Sequence, residues 1–386
     1  MKIALVSPYD LAVPGGVNTH ITRLAQNFQA LGHETRIIGP SSDELAPAPP
    51  CTIVIGKPRS IPASGSVARI ALNLRLSGRV KDVLAEERFD VVHVHEPLMP
   101  VLPIQFLRHS ECVNVGTFHA AKEGGNRLYS YTRTLLKRYY RRLDGKIAVS
   151  PAAEQLVSRY FAGYFNIIPN GIDLAPFSGE PNPFPELRDG MRNIVYVGRL
   201  EKRKGVAYLL RAFPMIKREM PNTRLIIVGD GRPREGYQRY VRKHEIEDVI
   251  FTGYVSDADI PRYYHTADVC CFPATGNESQ GYVLLEAMAT GKPLVASNIE
   301  GFASVVTDEV EGRLVRPRDP EALALALVHL LADERSRRAM GERARLSAQQ
   351  YSWDRIAHKV LSYYERLLYE RGLHPGRSCP PSQPRH

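Results

Sequence analysis

The sequence predicts an α/β protein with two doubly wound parallel-sheet domains. Strand-like apolar runs alternate with helical patterns, and the alternation restarts after a proline-rich segment at 171–190, interpreted as a linker. The 386 residues also exceed one ordinary core. We place the first domain at 1–172 and the second at 173–353. A proline-rich, disordered tail is expected at 372–386.

Composition limits the classes of partner. The chain has 51 Lys and Arg against 41 Asp and Glu, a net charge of +10, which favours nucleotide phosphates or an anionic membrane surface. Nucleic acid is not expected, because no base-reading motif is present. The five cysteines lack zinc-ligand spacing and are interpreted as reduced thiols of a cytosolic protein. No signal peptide or apolar run of about 20 residues is evident, so no membrane-spanning segment is predicted.

The first domain opens with a strand at 2–7, a loop and a glycine-rich turn. Gly15, Gly16 and Val17 begin a helix whose apolar residues recur at helical spacing. Such a turn can bind a phosphate through backbone N–H groups, although a tight turn alone would also explain the glycines. The pattern G-x-G-x-x-G is missing, so NAD is not expected. Further strands are predicted at 35–39, 52–55, 89–95, 113–118, 146–149 and 166–168.

Two segments of the first domain mix cations with apolar residues. Residues 66–88 are predicted to be a helix that carries Arg69, Arg75, Arg79 and Lys81 among apolar residues. Residues 129–146 carry six cations beside an apolar stripe: Leu135, Leu136, Tyr139 and Leu143. Either segment could dock on anionic lipid, or could pack its apolar residues inside and leave its charges in water.

Histidines mark the ends of two predicted strands. His93 and His95 share one face of their strand and are followed by Glu96. A metal site is not favoured because no further ligand is evident, and a strand end beside a cleft explains these residues better. His119 follows the next strand at the sheet edge where ligands bind in such folds, although a lone histidine is more often structural.

The second domain repeats the alternation of strands and helices. Its strands are predicted at 194–197, 224–228, 249–251, 269–272 and 294–296, and its last helices at 321–333, 335–350 and 353–371. After the first strand, the stretch GRLEKRKG at 198–205 places four cations just before a helix. The cluster suits a diphosphate, with Arg199 as a bidentate donor and Lys204 as a point charge; a solvated charged turn is the alternative.

Two carboxylates belong to a further predicted helix, at 278–290. Glu278 would lie at its start and Glu286 two turns later, on the same face. Gly281 would lie in the first turn, where a helix N-terminus can bind an anion. Glu286 is expected to accept hydrogen bonds from ribose hydroxyls. Alternatively, Glu278 only complements the helix dipole and Glu286 is a solvated surface residue.

Together these motifs resemble those of a known family. They are similar to the motifs of GT-B glycosyltransferases of glycosyltransferase family 4, and the ones that match are PGGV, HVHEP, TFH, IPNGID, GRLEKRKG, VGDG, ADV and Glu278-x7-Glu286. The stretches PYDLAVPGGVNTH, GSVARI and VVHVHEP most resemble the phosphatidyl-myo-inositol mannosyltransferases of that family. The resemblance runs from residue 1 to about 371. It implies the GT-B fold, in which two Rossmann-like domains face each other across a cleft. It also implies that the last helix crosses back to the first domain, which adds about 354–371 to residues 1–172.

The resemblance implies a retaining enzyme that moves mannose from GDP-mannose to phosphatidylinositol. The protein would be cytoplasmic and peripherally associated with the inner face of the plasma membrane. No cofactor or metal site would be required, Mg²⁺ could assist, and Asp257-x-Asp259 is better explained as a helix cap than as a metal site. The alternative is a family member that uses a UDP-sugar and a polysaccharide or glycolipid acceptor. A catalytically silent scaffold that binds nucleotide sugars is a third possibility.

The resemblance also implies residue roles. Four residues would be catalytic: His119, Glu278, Arg199 and Lys204. The donor would contact Gly16, Arg199, Lys204, Val255, Glu278, Gly281, Tyr282, Val283 and Glu286. The acceptor would contact Tyr9, Asn18, Arg69 and His119. Two departures from the family pattern concern the acceptor: position 12 is Ala where the resembled enzymes have an acid, and the basic cluster of the lipid-docking helix is reduced to Arg75, Arg79 and Lys81.

Overall fold

The computed structural model describes residues 1–43, 51–63, 66–180 and 182–373. These residues form two compact units. Unit 1 comprises Met1–Ala120, Gly124–Gly171 and Trp353–His386, and unit 2 comprises Ala121–Glu123 and Ile172–Ser352. Nearly all of the tail expected at 372–386 lies outside the described residues.

Unit 1 is built on a parallel sheet. Its strands are β1 (Lys2–Val6), β2 (Glu34–Gly39), β3 (Thr52–Val54), β4 (Pro58–Ala63), β5 (Ser66–Ala71), β6 (Val91–His95), β7 (Val113–Phe118), β8 (Gly145–Ala148) and β9 (Asn166–Ile167). Seven of them pair in the order β3-β2-β1-β6-β7-β8-β9, with every pair parallel. Strands β6 and β7 are buried along their whole length, as expected for a sheet covered on both faces.

The helices of unit 1 cover the two faces of this sheet. They are α1 (Gly16–Ala30), α2 (Ser77–Glu87), α3 (Leu102–His109), α4 (Arg127–Tyr140) and α5 (Pro151–Ser158). Local sequence explains their starts. In α5, for example, the Ser150 side chain accepts a hydrogen bond from the Ala153 amide, and Pro151 occupies the first helical position, where its missing N–H costs nothing.

The prediction of one helix over 66–88 is wrong. Residues Ser66–Ala71 form β5, which pairs antiparallel with β4, and only Ser77–Glu87 is helical. The apolar residues Val67 and Ile70 of this run are three residues apart, which fits a helix, and the pairing with β4 is what makes the run a strand. The side chain of Asn73 then accepts a bond from the Arg75 amide and starts a separate 3₁₀ turn at Leu74–Leu76. Arg69 therefore lies on a strand, apart from Arg75, Arg79 and Lys81.

Unit 2 is a second parallel sheet with its own helices. Its strands are β10 (Arg192–Val197), β11 (Thr223–Val228), β12 (Val249–Gly253), β13 (Val269–Phe272), β14 (Leu294–Ser297) and β15 (Gly312–Val315), in the order β12-β11-β10-β13-β14-β15. Its helices are α6 (Ala175–Ser178), α7 (Val206–Glu219), α8 (Arg234–Lys243), α9 (Ile260–Thr266), α10 (Tyr282–Ala289), α11 (Glu300–Ala303), α12 (Pro320–Ala332) and α13 (Glu334–Ala348). Two apolar clusters pack on opposite faces of the sheet. The prediction of two doubly wound parallel sheets is confirmed.

The last helix, α14 (Trp353–Glu370), belongs to unit 1. One face is buried, and its Tyr364 ring packs edge-on against the ring of Phe28 in α1, with 5.9 Å between centroids. Gly171 allows the start of the helix to approach, since a Cβ there would lie 2.5 Å from the Trp353 ring. Within the described ranges, no helix combines the length and apolar character needed to cross a bilayer.

Strand order shows where each unit can bind a ligand. In unit 1, β1 lies between β2 and β6, and in unit 2, β10 lies between β11 and β13. At such points the chain connections diverge to opposite sides, so a crevice opens beyond the carboxyl ends of the strands. The loops that follow β1, β6, β10 and β13 are therefore the first place to look for functional side chains.

Candidate active site

In unit 2, the loops that follow β10 and β13 are tied to each other. The backbone carbonyl of Arg203 accepts hydrogen bonds from the Thr275 amide at 2.8 Å and the Thr275 hydroxyl at 3.1 Å. Gly205 adopts φ +75°, and a Cβ there would lie 1.8 Å from the carbonyl oxygen of Pro273. Only glycine permits both this backbone conformation and this approach. The cation-rich loop is therefore held against the loop that carries Glu278.

Glu278 does not belong to a helix. Helix α10 begins at Tyr282, with Gly281 as its N-cap at φ +92°. A right-handed helix cannot pass through that conformation, and Asn277 at φ +59° shows that the preceding loop is also irregular. The prediction that Glu278 and Glu286 share one helix face is therefore wrong. Gly281 precedes the first turn and does not lie within it.

The loop instead places the Glu278 carboxylate against two cations. Its Oε1 lies 2.8 Å from Lys204 Nζ and 2.5 Å from Arg203 Nη1, and the side chain is only 9% exposed. Glu201 accepts a further bond from Arg203 Nε at 2.8 Å. Residue-by-residue reasoning missed Arg203, although its position in the GRLEKRKG cluster was the signal that could have identified it.

Arg199 is more loosely held. Its side chain is 70% exposed and lies 3.3 Å from Glu201 Oε1. The structure therefore brings Lys204 and Glu278 together directly, and it links Arg199 to them only through Glu201 and Arg203. An exposed guanidinium of this kind is available to an anionic ligand.

Glu286 lies in the second turn of α10 and accepts a hydrogen bond from a residue that the sequence did not reveal. The hydroxyl of Tyr264, in α9, donates to its Oε2 at 2.8 Å. Burial raises the pKa of Glu286 to about 6, and the Tyr264 hydrogen bond acts in the opposite direction.

The remaining expected donor residues of unit 2 surround the start of α10. Val255 and Val283 are half-buried against the apolar cluster beneath. The hydroxyl of Tyr282 is buried and has no hydrogen-bond partner among the described residues. At Gly281 a Cβ would lie 2.7 Å from the Phe302 ring, so a side chain there would displace α11.

The helix N-terminus of α10 has no side-chain cap and no acid in its first turn. In the part of the chain that the structure describes, its N-cap residue therefore gives these first amides no side-chain partner. Asp259, expected as a helix cap, occupies the N-cap position of α9 without a side-chain cap bond, and its carboxylate accepts from the Ser256 hydroxyl at 2.8 Å.

In unit 1, the loop after β1 is held by Asn18. The Asn18 amide donates to the carbonyls of Asp10 (2.8 Å) and Val13 (3.1 Å), and its oxygen accepts from the Ser7 hydroxyl at 2.8 Å. Because these bonds involve both the nitrogen and the oxygen of the side-chain amide, Asn18 stabilises the conformation of this loop. A direct contact with an acceptor would need one of them to break.

The other expected acceptor residues lie around the same loop. Tyr9 forms a β-bridge with Ile70, and the Asp10 amide donates to the Arg69 carbonyl at 2.9 Å. The half-exposed Arg69 guanidinium lies 3.8 Å from the buried carboxylate of Asp10. Gly16 is exposed at the start of α1, whose N-cap Gly15 has no side chain to cap it.

His119 follows β7 in unit 1 and is held at both backbone and ring. Oε1 of Glu96 accepts from the amides of His119 and Ala120, each at 2.8 Å. Burial raises the pKa of Glu96 to about 7, against the effect of these two bonds. The His119 Nε2 lies 2.9 Å from Nδ1 of His95, and burial holds the pKa of His119 well below its ordinary value.

Comparison with known proteins gives consistent matches along the chain. The family model described as Glycosyltransferase Family 4 matches residues 14–176. The family model described as Glycosyl transferases group 1 matches residues 181–347. The phosphatidyl-myo-inositol mannosyltransferase of Mycolicibacterium smegmatis is 35% identical, covering 95% of this chain and 94% of that protein. A glycogen synthase of Mycobacterium tuberculosis is 29% identical over 96% of both chains. The solved structure of sucrose-phosphate synthase from Thermosynechococcus elongatus matches with a TM-score of 0.77 and 25% identity, covering 96% and 99% of the two chains.

Proposed function

Because the chain belongs to glycosyltransferase family 4, we propose that it transfers mannose from GDP-mannose to phosphatidylinositol at a membrane surface, with retention at the anomeric carbon. Two observations together support this proposal. The matched mannosyltransferase is similar to this chain over nearly its whole length, and unit 2 holds the Arg203–Lys204–Glu278 cluster that a departing diphosphate requires.

Departure of the diphosphate is the step that this cluster would assist. Negative charge develops on the leaving phosphate, and fixed cations in a dry site stabilise it more than water does. Lys204 and the exposed Arg199 supply cations, and the uncapped start of α10 supplies amides. Lys204 also pairs with Glu278. Donor binding would draw Lys204 towards the phosphate and leave Arg203 to hold the carboxylate.

Retention is proposed to proceed by attack of the acceptor on the same face that the phosphate leaves, with the phosphate oxygen taking the acceptor's proton. A double displacement would need a free carboxylate beside the anomeric carbon. In this structure Oε1 of Glu278 is shared by two cations, which reduces its nucleophilicity. A hydrogen bond from Glu278 to a sugar hydroxyl fits that pairing better.

Helix α4 supports the proposed contact with a membrane surface. Its buried face carries Tyr129, Leu136 and Tyr140, whereas Leu128, Tyr131 and Leu135 are exposed. The expected stripe is thus divided, because Leu135 points to solvent while Leu136 and Leu143 are buried. Exposed cations surround the outer group: Arg127, Arg133, Lys137, Arg138, Arg141 and Arg142. An apolar group within a basic face suits the surface of an anionic membrane.

Helix α2 makes a weaker docking surface than α4. Its apolar residues Val80 and Val83 are buried, and its Arg79 lies 3.8 Å from Glu86. We therefore propose α4 as the main contact with the inner face of the plasma membrane. No cofactor is assigned to the reaction, and Mg²⁺ would act only as a companion of the donor phosphates.

A matrix of donors and acceptors tests the function. Purified full-length protein is incubated with labelled GDP-mannose, UDP-glucose or UDP-N-acetylglucosamine, each with phosphatidylinositol vesicles or with a soluble glucan. The proposal predicts label in lipid only with GDP-mannose and phosphatidylinositol. Transfer from a UDP-sugar to glucan or another glycolipid would support the alternative activity. Tight nucleotide binding without transfer or donor hydrolysis would support a silent scaffold.

A further inference from the structure

Four histidines of unit 1 form a buried cluster that the proposed reaction does not explain. His20, His93 and His95 are fully or almost fully buried, and His119 lies beside them at the end of β7. The His93 and His95 rings lie 4.3 Å apart, His95 and His119 5.2 Å, and His20 and His119 4.9 Å, centroid to centroid. Three buried imidazoles therefore surround the one that is expected to meet substrate.

The hydrogen bond between His95 and His119 has a direction. His95 Nε2 is buried and has no partner among the described residues, whereas His95 Nδ1 lies 2.9 Å from His119 Nε2. A buried N–H without an acceptor is costly, so the proton of His95 belongs on Nδ1, where it can be donated. His119 Nε2 is then the acceptor.

Asn170 completes the arrangement from the other side. Its Oδ1 lies 2.9 Å from Nδ1 of His20, and its side chain also hydrogen-bonds the His119 ring. Because Nε2 of His119 is already an acceptor, the proton of a neutral His119 must be on Nδ1. Burial holds the pKa of His20 at about 4 and lowers that of His119, so both rings are neutral near pH 7.

The rings of His20, His95 and His119 also suggest a metal site, since their ligand atoms lie within 4.8 Å of one another. The distance between His95 and His119 argues against this. Two nitrogens about 2.0–2.1 Å from a tetrahedral zinc ion are about 3.3 Å apart. The observed separation of 2.9 Å is that of an N–H···N hydrogen bond.

We propose that His95 is a positioning residue that holds His119 as a neutral imidazole with its proton on Nδ1 and its Nε2 lone pair occupied. A His119 held in this way is a fixed polar wall of the acceptor side and is not the base of the reaction. The inference rests on the proposed function, and it explains why the acceptor's proton would go to the leaving phosphate.

The neighbours of His95 explain why its ring cannot turn away. His93 lies against it, and the Tyr364 hydroxyl of α14 is hydrogen-bonded to His93 Nδ1 at 2.5 Å. The other nitrogen of His93 lies 2.6 Å from the Thr117 hydroxyl. Hydrogen bonds at both nitrogens fix His93, and His93 in turn packs against His95. The C-terminal helix therefore supports the position of His119 through two intermediate rings.

Nuclear magnetic resonance of full-length protein labelled with ¹⁵N-histidine tests the tautomer. A long-range ¹H–¹⁵N spectrum shows which ring nitrogen carries the proton, and the spectrum of His119→Gln identifies the His119 signals. We expect a neutral His119 protonated at Nδ1. In His95→Leu, which keeps the volume but removes the donor, the signals should shift towards a mixture of tautomers. His95→Asn, whose amide nitrogen can replace Nδ1, should restore the wild-type pattern.

Kinetics of the same variants test the positioning. With whichever donor and acceptor are turned over, His95→Leu should lower kcat about 10- to 100-fold and change the dissociation constant of the donor nucleotide less than twofold. His95→Asn should recover most of kcat. The exposed His358 of α14 gives a matched control, and His358→Gln should match wild type in both measurements.

Three outcomes would overturn the proposal: a His119 proton on Nε2 in the wild-type spectrum, His119 signals that do not change in His95→Leu, or one equivalent of zinc whose removal alters them. The wild-type spectrum decides the tautomer even where His95→Leu does not fold. A donor other than GDP-mannose would refute the proposed function and leave the spectra unchanged, so the two failures are distinguishable.

Discussion

Lys204 and Glu278 form an ion pair in unit 2, with Lys204 Nζ 2.8 Å from Glu278 Oε1. One residue follows β10 and the other follows β13, so the pair joins the two loops at the point where the strand order diverges. Arg203 bonds the same carboxylate oxygen. We therefore expect the two cations and the acid to respond together to a bound diphosphate.

Replacement of Glu278 should separate catalysis from donor binding. Glu278→Gln removes the negative charge that competes with phosphate for Lys204, so GDP should bind as tightly as to wild type or more tightly. The rate of transfer should fall by about 100-fold or more, because a contact aimed at the reacting sugar is lost. Calorimetry and the transfer assay measure the two effects. Glu235→Gln, on the exposed surface of α8, is the control, and a near-wild-type kcat for Glu278→Gln would remove Glu278 from the site.

Lys204→Ala should weaken nucleotide binding, and Lys202→Ala should not. Both lysines lie in the same 3₁₀ turn, but Lys202 is exposed and Lys204 points to Glu278. A charged hydrogen bond contributes about 1.5–3 kcal/mol, so the affinity of Lys204→Ala for GDP should be about 10- to 100-fold lower. Equal effects of the two substitutions on the GDP dissociation constant would mean that the turn acts only through its total charge.

Donor affinity should depend on the ionisation of Glu286. Burial raises its pKa to about 6, and the ionised carboxylate is the form that accepts ribose hydroxyl bonds. Affinity should therefore fall as the pH falls through 6, with about tenfold weaker GDP binding at pH 5 than at pH 7. Tyr264→Phe removes a bond that lowers this pKa, so the same step should move to higher pH. Persistence of the step in Glu286→Gln would assign it to another group.

The raised pKa of Glu286 also affects the free energy of unfolding. The folded pKa of Glu286 is above its ordinary value of 4.5, so between pH 4.5 and about 6 the folded state holds more protons than the unfolded chain. Glu286 should therefore make the protein less stable as the pH rises through this window. Thermal melting of wild type and Glu286→Gln across pH 4.5–7 measures the difference.

Membrane attachment should require the exposed apolar residues of α4. Changing Leu128, Tyr131 and Leu135 to Ser keeps every cation and should reduce co-flotation with phosphatidylinositol vesicles about tenfold or more. The control replaces Leu325 and Leu346, which are equally exposed but lie in unit 2, by Ser. Flotation that depends on salt but not on the α4 substitutions would make the contact purely electrostatic.

Gly205→Ala should destabilise the protein more than Gly190→Ala. Both glycines have positive φ, at +75° and +90°, and the left-handed backbone costs an alanine about 1–2 kcal/mol. Nothing lies within 4 Å of a Cβ at Gly190, whereas at Gly205 it would meet the Pro273 carbonyl. The midpoint of thermal unfolding should fall further for Gly205→Ala. Equal midpoints would show that the two loops can separate without cost.

The alternation of strand and helix patterns was sufficient to predict the two parallel sheets, because burial on both faces leaves continuous apolar runs in the sequence. It was not sufficient at 66–88, where a strand, a turn and a helix follow one another within a few residues. The three-residue spacing of Val67 and Ile70 continues into the helix that follows, and only the pairing of β5 with β4 separates the two elements.

For the site, the sequence determined which kinds of side chain are present and which strand ends they follow, since local patterns encode both. Only the tertiary structure decided that Glu278 lies in a loop and is held by Lys204 and Arg203, because the positive φ of Gly281 is a property of the packed loop. The bond from His95 to His119 and the support from Tyr364 were equally hidden. Contacts between residues far apart in the chain depend on how the elements pack, and no local pattern records that.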